Sequence, residues 1–134
     1  MNKTILILGD ILALFIVTLI GFATHGEMGL SFLPRMLATF IPLLIAWFLI
    51  ASWFGLLTTP TQPPPKRGRS HAVMEGVKVG LAMLFAGPLA VVIRGLILNE
   101  PIPPIFAVVL SVTSALGMMI WRTVYLLLKH DERD

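Results

Sequence analysis

The hydrophobic pattern of this chain consists of four long apolar stretches separated by short polar segments. Each stretch runs for 20 residues or more: Thr4–Ala23, Met36–Leu57, Gly76–Leu98 and Ile105–Leu128. At about 1.5 Å of rise per residue, a helix of that length spans the roughly 30 Å hydrocarbon core of a bilayer. The pattern therefore predicts an all-α fold, an integral membrane bundle of four transmembrane helices that forms a single domain over residues 1–134.

The composition agrees with a membrane location. Hydrophobic residues make up 57% of the 134 residues and charged residues only 13%, against about 25% charged in soluble domains. A soluble domain of this size would need more polar surface to cover its core, so we expect the lipid bilayer to be the partner of most of the surface. The chain has no cysteine, which excludes disulfides, thiolate metal sites and thiol catalysis.

The segments between the stretches look like membrane-surface connections. The first, Thr24–Arg35, holds His25, and Pro34 near its end favours a helix start. The basic, proline-rich loop 58–75 contains three consecutive prolines followed by basic residues, which favours extended geometry: Pro63, Pro64, Pro65, Lys66, Arg67 and Arg69. Ser70 is the predicted N-cap of the third helix. Residues 99–104 predict a tight turn.

The basic residues predict the orientation. Four spans place both chain ends and the loop 58–75 on one side. That side carries eight of the ten basic residues: Lys3, Lys66, Arg67, Arg69, Lys78, Arg122, Lys129 and Arg133. The opposite side has only Arg35 and Arg94. Both termini are therefore predicted to be cytoplasmic, with Trp53 and Trp121 near the cytoplasmic interface and Trp47 packed between helices.

Asp10 and Arg122 are charged residues inside the first and last stretches. Each lies about 9 Å inside its span from the same side, so the two can meet if these helices are neighbours. A charge at this depth is either a proton or ion relay or half of an ion pair that fixes helix register. The static pair is the preferred interpretation, because a neighbouring arginine favours the charged carboxylate.

Gly76, Gly80 and Gly87 lie on one face of the third stretch together with Arg94. Small residues let helix backbones approach closely in lipid, so this stripe predicts a helix–helix interface. Arg94 then faces protein about 6 Å from the helix end. It either binds an anionic group or, as we prefer, snorkels or contacts Glu100 or loop carbonyls.

Two further features concern the second, third and fourth stretches. Ser111 and Ser114 are expected to make hydrogen bonds between helices. Pro42 and Pro88 each remove one helical hydrogen bond, which favours a kink.

No catalytic constellation stands out. His25, His71 and His130 are predicted to lie in loops, too scattered for a metal site. There is no serine–histidine–acid, paired-carboxylate or phosphate-loop spacing, so neither an enzyme nor a cofactor is expected. The basic loop lacks interleaved aromatic residues, so no nucleic-acid partner is expected either.

Short motifs in all four stretches resemble those of a family of small prokaryotic four-span membrane proteins, domain-of-unknown-function family 3054. They are Gly9-Asp10, Gly21 with His25-Gly26, Ile41-Pro42 with Ala46-Trp47, Arg94-Gly95 and Trp121-Arg122. The chain departs from that pattern at Phe22-Ala23, where a basic residue is associated with the family, and at Ala46, which replaces a glycine. The resemblance implies a multi-pass protein of the prokaryotic plasma (inner) membrane and gives weight to Asp10, His25 and Arg122, without naming a reaction.

Two functions remain open. The first is a non-catalytic structural or accessory membrane component, either a homo-oligomer or part of a larger membrane complex. The alternative is a minimal oligomeric transporter of protons, ions or small molecules that uses Asp10. Small multidrug-resistance exporters have a similar length and span count, but here the acid lies near the cytoplasmic end with an arginine at the same depth.

Overall fold

The computed structural model of the protein describes residues 2–27, 29–58 and 68–132. It contains four long α-helices, α1 (Lys3–Thr24), α2 (Leu33–Trp53), α3 (Arg69–Leu98) and α4 (Pro104–Asp131). A 3-10 helix, Leu30–Phe32, leads into α2, and the described residues include no strand. All four α-helices are long and apolar enough to cross a membrane. The predicted all-α, multi-pass membrane architecture is therefore confirmed.

Helix α2 is displaced from its predicted span of 36–57. Pro34 lies in its first turn, as expected, but the helix begins at Leu33. It ends at Trp53 because Gly55 adopts a left-handed conformation, with φ of 68°. The N–H of Leu56 then donates to the carbonyl of Ala51 at 2.9 Å, a hydrogen bond that closes the helix end.

Helix α3 begins at Arg69, seven residues before its predicted start at Gly76. The prediction of Ser70 as N-cap is wrong, because the cap is Gly68 and Ser70 lies in the first turn. Nothing between Arg69 and Glu75 breaks a helix, and Lys78 Nζ lies 2.8 Å from the Glu75 carboxylate one turn earlier. Residues 69–75 of the predicted loop 58–75 are therefore helical.

The remaining boundaries differ in smaller ways. The triple proline, Lys66 and Arg67 lie outside the described residues. His71 lies in the first turns of α3, and the backbone of His130 belongs to the last turn of α4, so neither histidine is in a loop as predicted. Helix α3 ends where Asn99 takes a left-handed conformation, with φ of 52°. The helices α2 and α3 both continue past their internal prolines, Pro42 and Pro88.

The helices pack in a cycle, in which α1 contacts α2 and α4, and α3 contacts the same two helices. The start of α1, the end of α4, residues 54–58 and Gly68 lie at one end of the protein, here called the terminal end. Residues 25–27, 29–32 and 99–103 lie at the other end, here called the turn end. The core between the helices consists of fully buried side chains, including Leu14, Leu43, Trp47, Met83 and Met118. Most large apolar side chains on the outer faces are exposed, as expected for surfaces that contact lipid.

The glycine stripe of α3 faces α4. A methyl group added at Gly76 would collide with the side chain of Thr123, and one added at Gly87 would collide with Ser111. At Gly80 the nearest atom would be the carbonyl oxygen of Ala115 at 3.6 Å, an ordinary contact. The two outer glycines thus hold α3 and α4 close together, and the middle one leaves some room.

Candidate functional site: a buried carboxylate cluster and a polar-ended cavity

Asp10 is the centre of a hydrogen-bonded cluster inside the helical assembly, and it is completely buried. Its Oδ1 accepts from Arg122 Nε at 2.9 Å and from Trp121 Nε1 at 3.0 Å. Its Oδ2 accepts from Arg122 Nη2 at 2.6 Å and from Trp47 Nε1 at 3.1 Å. Arginine therefore binds the carboxylate through two parallel hydrogen bonds, the strongest arrangement for this pair of groups, and two indoles complete the shell.

Local sequence explains how the cluster forms. A side chain on Gly9 would run into the indole ring of Trp121, so the glycine lets this ring lie directly against α1. The left-handed Gly55 turns the chain after α2 so that the carbonyl of Leu56 points inward. That carbonyl accepts a hydrogen bond of 3.2 Å from Arg122 Nη1. The cluster thus joins α1, α2 and α4 to the segment that follows α2.

The chemistry of this cluster is that of a satisfied, buried ion pair. A carboxylate has about four favourable acceptor positions, and all four receive a donor here. To take up a proton or a cation, Asp10 would have to lose at least one of these hydrogen bonds. A small cavity of about 80 Å³ at the terminal end reaches Arg122 and is also lined by Thr58 and Glu75.

The structure brings Asp10 and Arg122 together, as their matched depth predicted, but sequence reasoning missed both tryptophan partners. Trp121 was expected at the membrane interface, yet it is partly buried and its N–H binds Asp10. Trp47 is fully buried, as expected, but its hydrogen bond was not foreseen. The sequence does contain a signal for this hydrogen bond. A buried indole N–H needs an acceptor, and Asp10 is an acceptor-only side chain within a span. Trp53 is 87% exposed.

A second feature is a cavity of about 580 Å³ that lies between α1 and α4 toward the turn end. Apolar side chains from these two helices form its walls. Five titratable residues from the connections and from α2 and α3 also line it: His25, Glu27, Arg35, Arg94 and Glu100. The cavity is separate from the Asp10 cluster, which lies nearer the terminal end.

Arg94 is held in this cavity by neutral groups. Its Nε donates to Thr39 Oγ1 at 3.0 Å, and its guanidinium carbon lies 4.8 Å from the centre of the Phe106 ring. The predicted contact of Arg94 with Glu100 or loop carbonyls is absent from the described residues, where Arg94 has no ion-pair partner. Arg35 instead pairs with Glu27, at 3.8 Å. His25 caps the end of α1 and is exposed.

The serines of α4 do not make the predicted contacts between helices. Ser111 Oγ donates to the carbonyl of Ala107 in its own helix, at 2.6 Å. Ser114 Oγ is buried and has no hydrogen-bond partner in the part of the chain that the structure describes. Within residues 2–27, 29–58 and 68–132, no three histidine or acidic side chains are grouped so that they could hold a metal ion.

Fold and site together define a small helical multi-pass membrane protein whose first and last spans are joined by a buried ion pair. The family model described as protein of unknown function (DUF3054) matches residues 7–125 of the chain. The chain therefore belongs to this family, and the match extends from just before Asp10 to just beyond Arg122. No curated protein and no solved structure matches it.

Proposed function

We propose that the protein is a non-catalytic structural or accessory component of the prokaryotic plasma membrane. Both termini face the cytoplasm, and the protein works through contacts with lipid, with copies of itself or with a larger membrane complex. The observation that carries this proposal is the saturation of the Asp10 carboxylate. The acceptor positions of this buried acid are occupied by protein groups, which suits a fixed contact between helices better than a group that changes its protonation.

The location of the pair supports the same role. Asp10 and Arg122 come from the first and last helices, and Trp47 comes from the second. A buried ion pair contributes little net stability but penalises every arrangement in which one charge is left alone. It therefore selects one packing of these helices, which is what a membrane component that presents a defined surface requires.

The proposal is tested by a flux measurement and a partner measurement. Liposomes that contain the protein and an internal pH-sensitive dye are given a proton gradient, with protein-free liposomes and the Asp10→Asn variant as controls. We expect the same slow leak in all three. A flux that requires Asp10 would overturn the proposal.

For the partner measurement, the protein is purified from its native membrane in nanodiscs and analysed by native mass spectrometry. A four-span membrane protein of known monomeric state, treated identically, is the control. We expect either a defined oligomer or a stoichiometric second protein. A lone monomer, with nothing co-purified beyond the control, would count against an accessory or self-associating role.

The second candidate is a minimal oligomeric transporter that uses Asp10. The observation that favours it is the presence of a cavity at each end, one reaching Arg122 and one reaching Thr18. Along α1 and α4, Leu14 and Met118 come between the residues that line the two cavities, and both are fully buried. Nearby on α4, the Ser114 hydroxyl has no hydrogen-bond partner among the described residues. Transport would require the ion pair to open, and the flux assay above distinguishes this candidate from the first.

A further inference from the structure

We propose that the cavity between α1 and α4 is a binding site for a zwitterionic aminophospholipid of the surrounding bilayer. One acyl chain lies along the apolar walls, the phosphate binds Arg94, and the primary ammonium group faces the acidic residues at the turn end. This site is distinct from the Asp10 cluster and goes beyond the structural role proposed for that cluster.

The walls of the cavity suit an acyl chain. Its volume of about 580 Å³ is within the range of roughly 300–1,000 Å³ that is typical of ligand sites. Its lining includes Ile20, Val109 and Leu116, which are 57%, 49% and 50% exposed on the outer faces of α1 and α4. The cavity therefore opens sideways between these helices, toward the space that lipid occupies, and a chain can enter without passing through water.

Arg94 is suited to bind the phosphate. Thr39 accepts only from Nε, and the Phe106 ring holds the guanidinium plane, so both Nη groups are left for a ligand. A planar guanidinium matches the oxygens of a phosphate in a two-point contact. Arg94 lies four residues before the end of α3 at Leu98, which is about 6 Å of helix. That depth is suitable for a headgroup phosphate and too shallow for the middle of the bilayer.

The acidic residues indicate that the headgroup carries a positive charge as well. Glu27 lies in the α1–α2 connection and Glu100 in the α3–α4 turn, both farther toward the turn end than Arg94. Both line the same cavity as Arg94. Glu27 is paired with Arg35, whereas Glu100 has no ion-pair partner among the described residues.

The order of groups along the cavity is therefore apolar wall, arginine, then carboxylate. The charges of the two arginines and two glutamates in the lining cancel, so a purely anionic headgroup would be attracted by Arg94 but repelled by Glu100. The same order of groups occurs in a lipid whose acyl chain is followed by a phosphate and then by a primary ammonium group.

The test is lipid titration of the detergent-purified protein, followed by native mass spectrometry. Three probes share the same acyl chains: phosphatidylethanolamine, phosphatidylglycerol, which lacks the ammonium, and phosphatidylcholine, whose trimethylated ammonium has no N–H donor. We expect phosphatidylethanolamine to bind about tenfold more tightly than either of the others. Equal binding of all three lipids, or preference for phosphatidylglycerol, would overturn the proposal.

Variants separate the parts of the site. Arg94→Gln should weaken phosphatidylethanolamine binding about tenfold, and Glu100→Gln should remove the preference over phosphatidylglycerol. Arg69→Gln, an exposed arginine at the terminal end, is the matched control and should change nothing. If Arg94→Gln does not fold, Val109→Trp, which fills the cavity from the lipid side, should abolish binding. Undiminished binding to Val109→Trp would place the lipid elsewhere and refute the site.

Soluble phosphoethanolamine, which has the headgroup without acyl chains, identifies the source of the ligand. We expect it not to compete with the lipid at equal concentration, because the apolar walls hold the acyl chain. Competition at equal concentration would mean that the site binds a soluble zwitterion, and the lipid assignment would be wrong.

Discussion

Gly9 of α1 and Trp121 of α4 are in direct contact, with the indole ring occupying the place where a side chain on residue 9 would be. This contact places the indole Nε1, which donates the hydrogen bond, 3.0 Å from Asp10 Oδ1. Because Gly9 has no side chain, Trp121 can approach α1, and the next residue, Asp10, receives its full set of hydrogen-bond donors.

Gly9→Leu should therefore disrupt the Asp10 cluster without altering any of its charged groups. Overpacking of this kind destabilises by about 1–3 kcal/mol, to which the loss of the Trp121 hydrogen bond adds. Thermal unfolding in detergent measures the effect. Gly21→Leu is the matched control on the same helix, because nothing lies within 4 Å of a Cβ atom added there. Equal melting temperatures for the two variants would contradict the contact.

Asp10 and Arg122 should be energetically coupled. Asp10→Asn leaves the buried arginine without its charge partner, and Arg122→Leu leaves a buried carboxylate with only the two indole donors. Breaking a buried pair from one side typically costs about 3–5 kcal/mol. The double variant should be less destabilised than the sum of the two single changes, by roughly 0.5–3 kcal/mol. Strictly additive losses would show that the residues act independently.

Trp47→Phe should destabilise the protein because it removes one donor from a buried carboxylate. The expected loss is about 1–3 kcal/mol, measured by thermal or denaturant unfolding in detergent. Trp53→Phe serves as the control, since Trp53 is 87% exposed on the same helix. Equally small losses of stability for the two variants would contradict this role of Trp47.

The glycines of α3 should differ in their tolerance of alanine. Gly76→Ala and Gly87→Ala force α3 away from Thr123 and Ser111, with expected losses of about 1–3 kcal/mol. Gly80→Ala places its methyl group at ordinary contact distance and should be neutral or slightly stabilising, since alanine favours the helix. Unfolding of the three variants in one detergent gives the comparison. If the Gly80 variant were the least stable, the described packing of α3 on α4 would be wrong.

Both chain ends are predicted to be cytoplasmic, because the order of spans in the sequence assigns eight of the ten basic residues to the same side as the chain ends. A fluorescent protein fused after the last residue should fluoresce, and alkaline phosphatase fused at the same place should be inactive. A fusion in the α3–α4 turn should give the opposite pair of results. Active phosphatase at the carboxyl terminus would reverse the orientation and place Arg94 on the cytoplasmic side.

The spans could be predicted from the sequence because the length of an apolar stretch does not depend on what packs beside it. The pair of Asp10 and Arg122 was predictable for a related reason, since a charge within an apolar stretch needs a partner at the same depth. The start of α3 at Arg69 was not predictable from hydropathy, because a polar first turn can extend a helix beyond the membrane without changing the apolar pattern.

The partners of Arg94 and Asp10 that were missed depend on how helices rotate against their neighbours. Thr39 and Phe106 are ordinary residues of an apolar span until packing brings them beside Arg94. The indole of Trp121 likewise could lie at an interface or turn inward, and the contact with Gly9 decides which. Such rotations depend on side-chain packing across several helices. The periodicity of a single helix carries no information about that packing.

The ion pair joins residues that are 112 positions apart in the chain, and this separation matters during synthesis. Asp10 emerges from the ribosome long before Arg122 and enters the membrane before its ion-pair partner has been synthesised. A chain that is cut short before α4 lacks three of the four hydrogen bonds to this carboxylate, because they come from Trp121 and Arg122. The last helix therefore closes a contact that distinguishes a finished protein from an unfinished one.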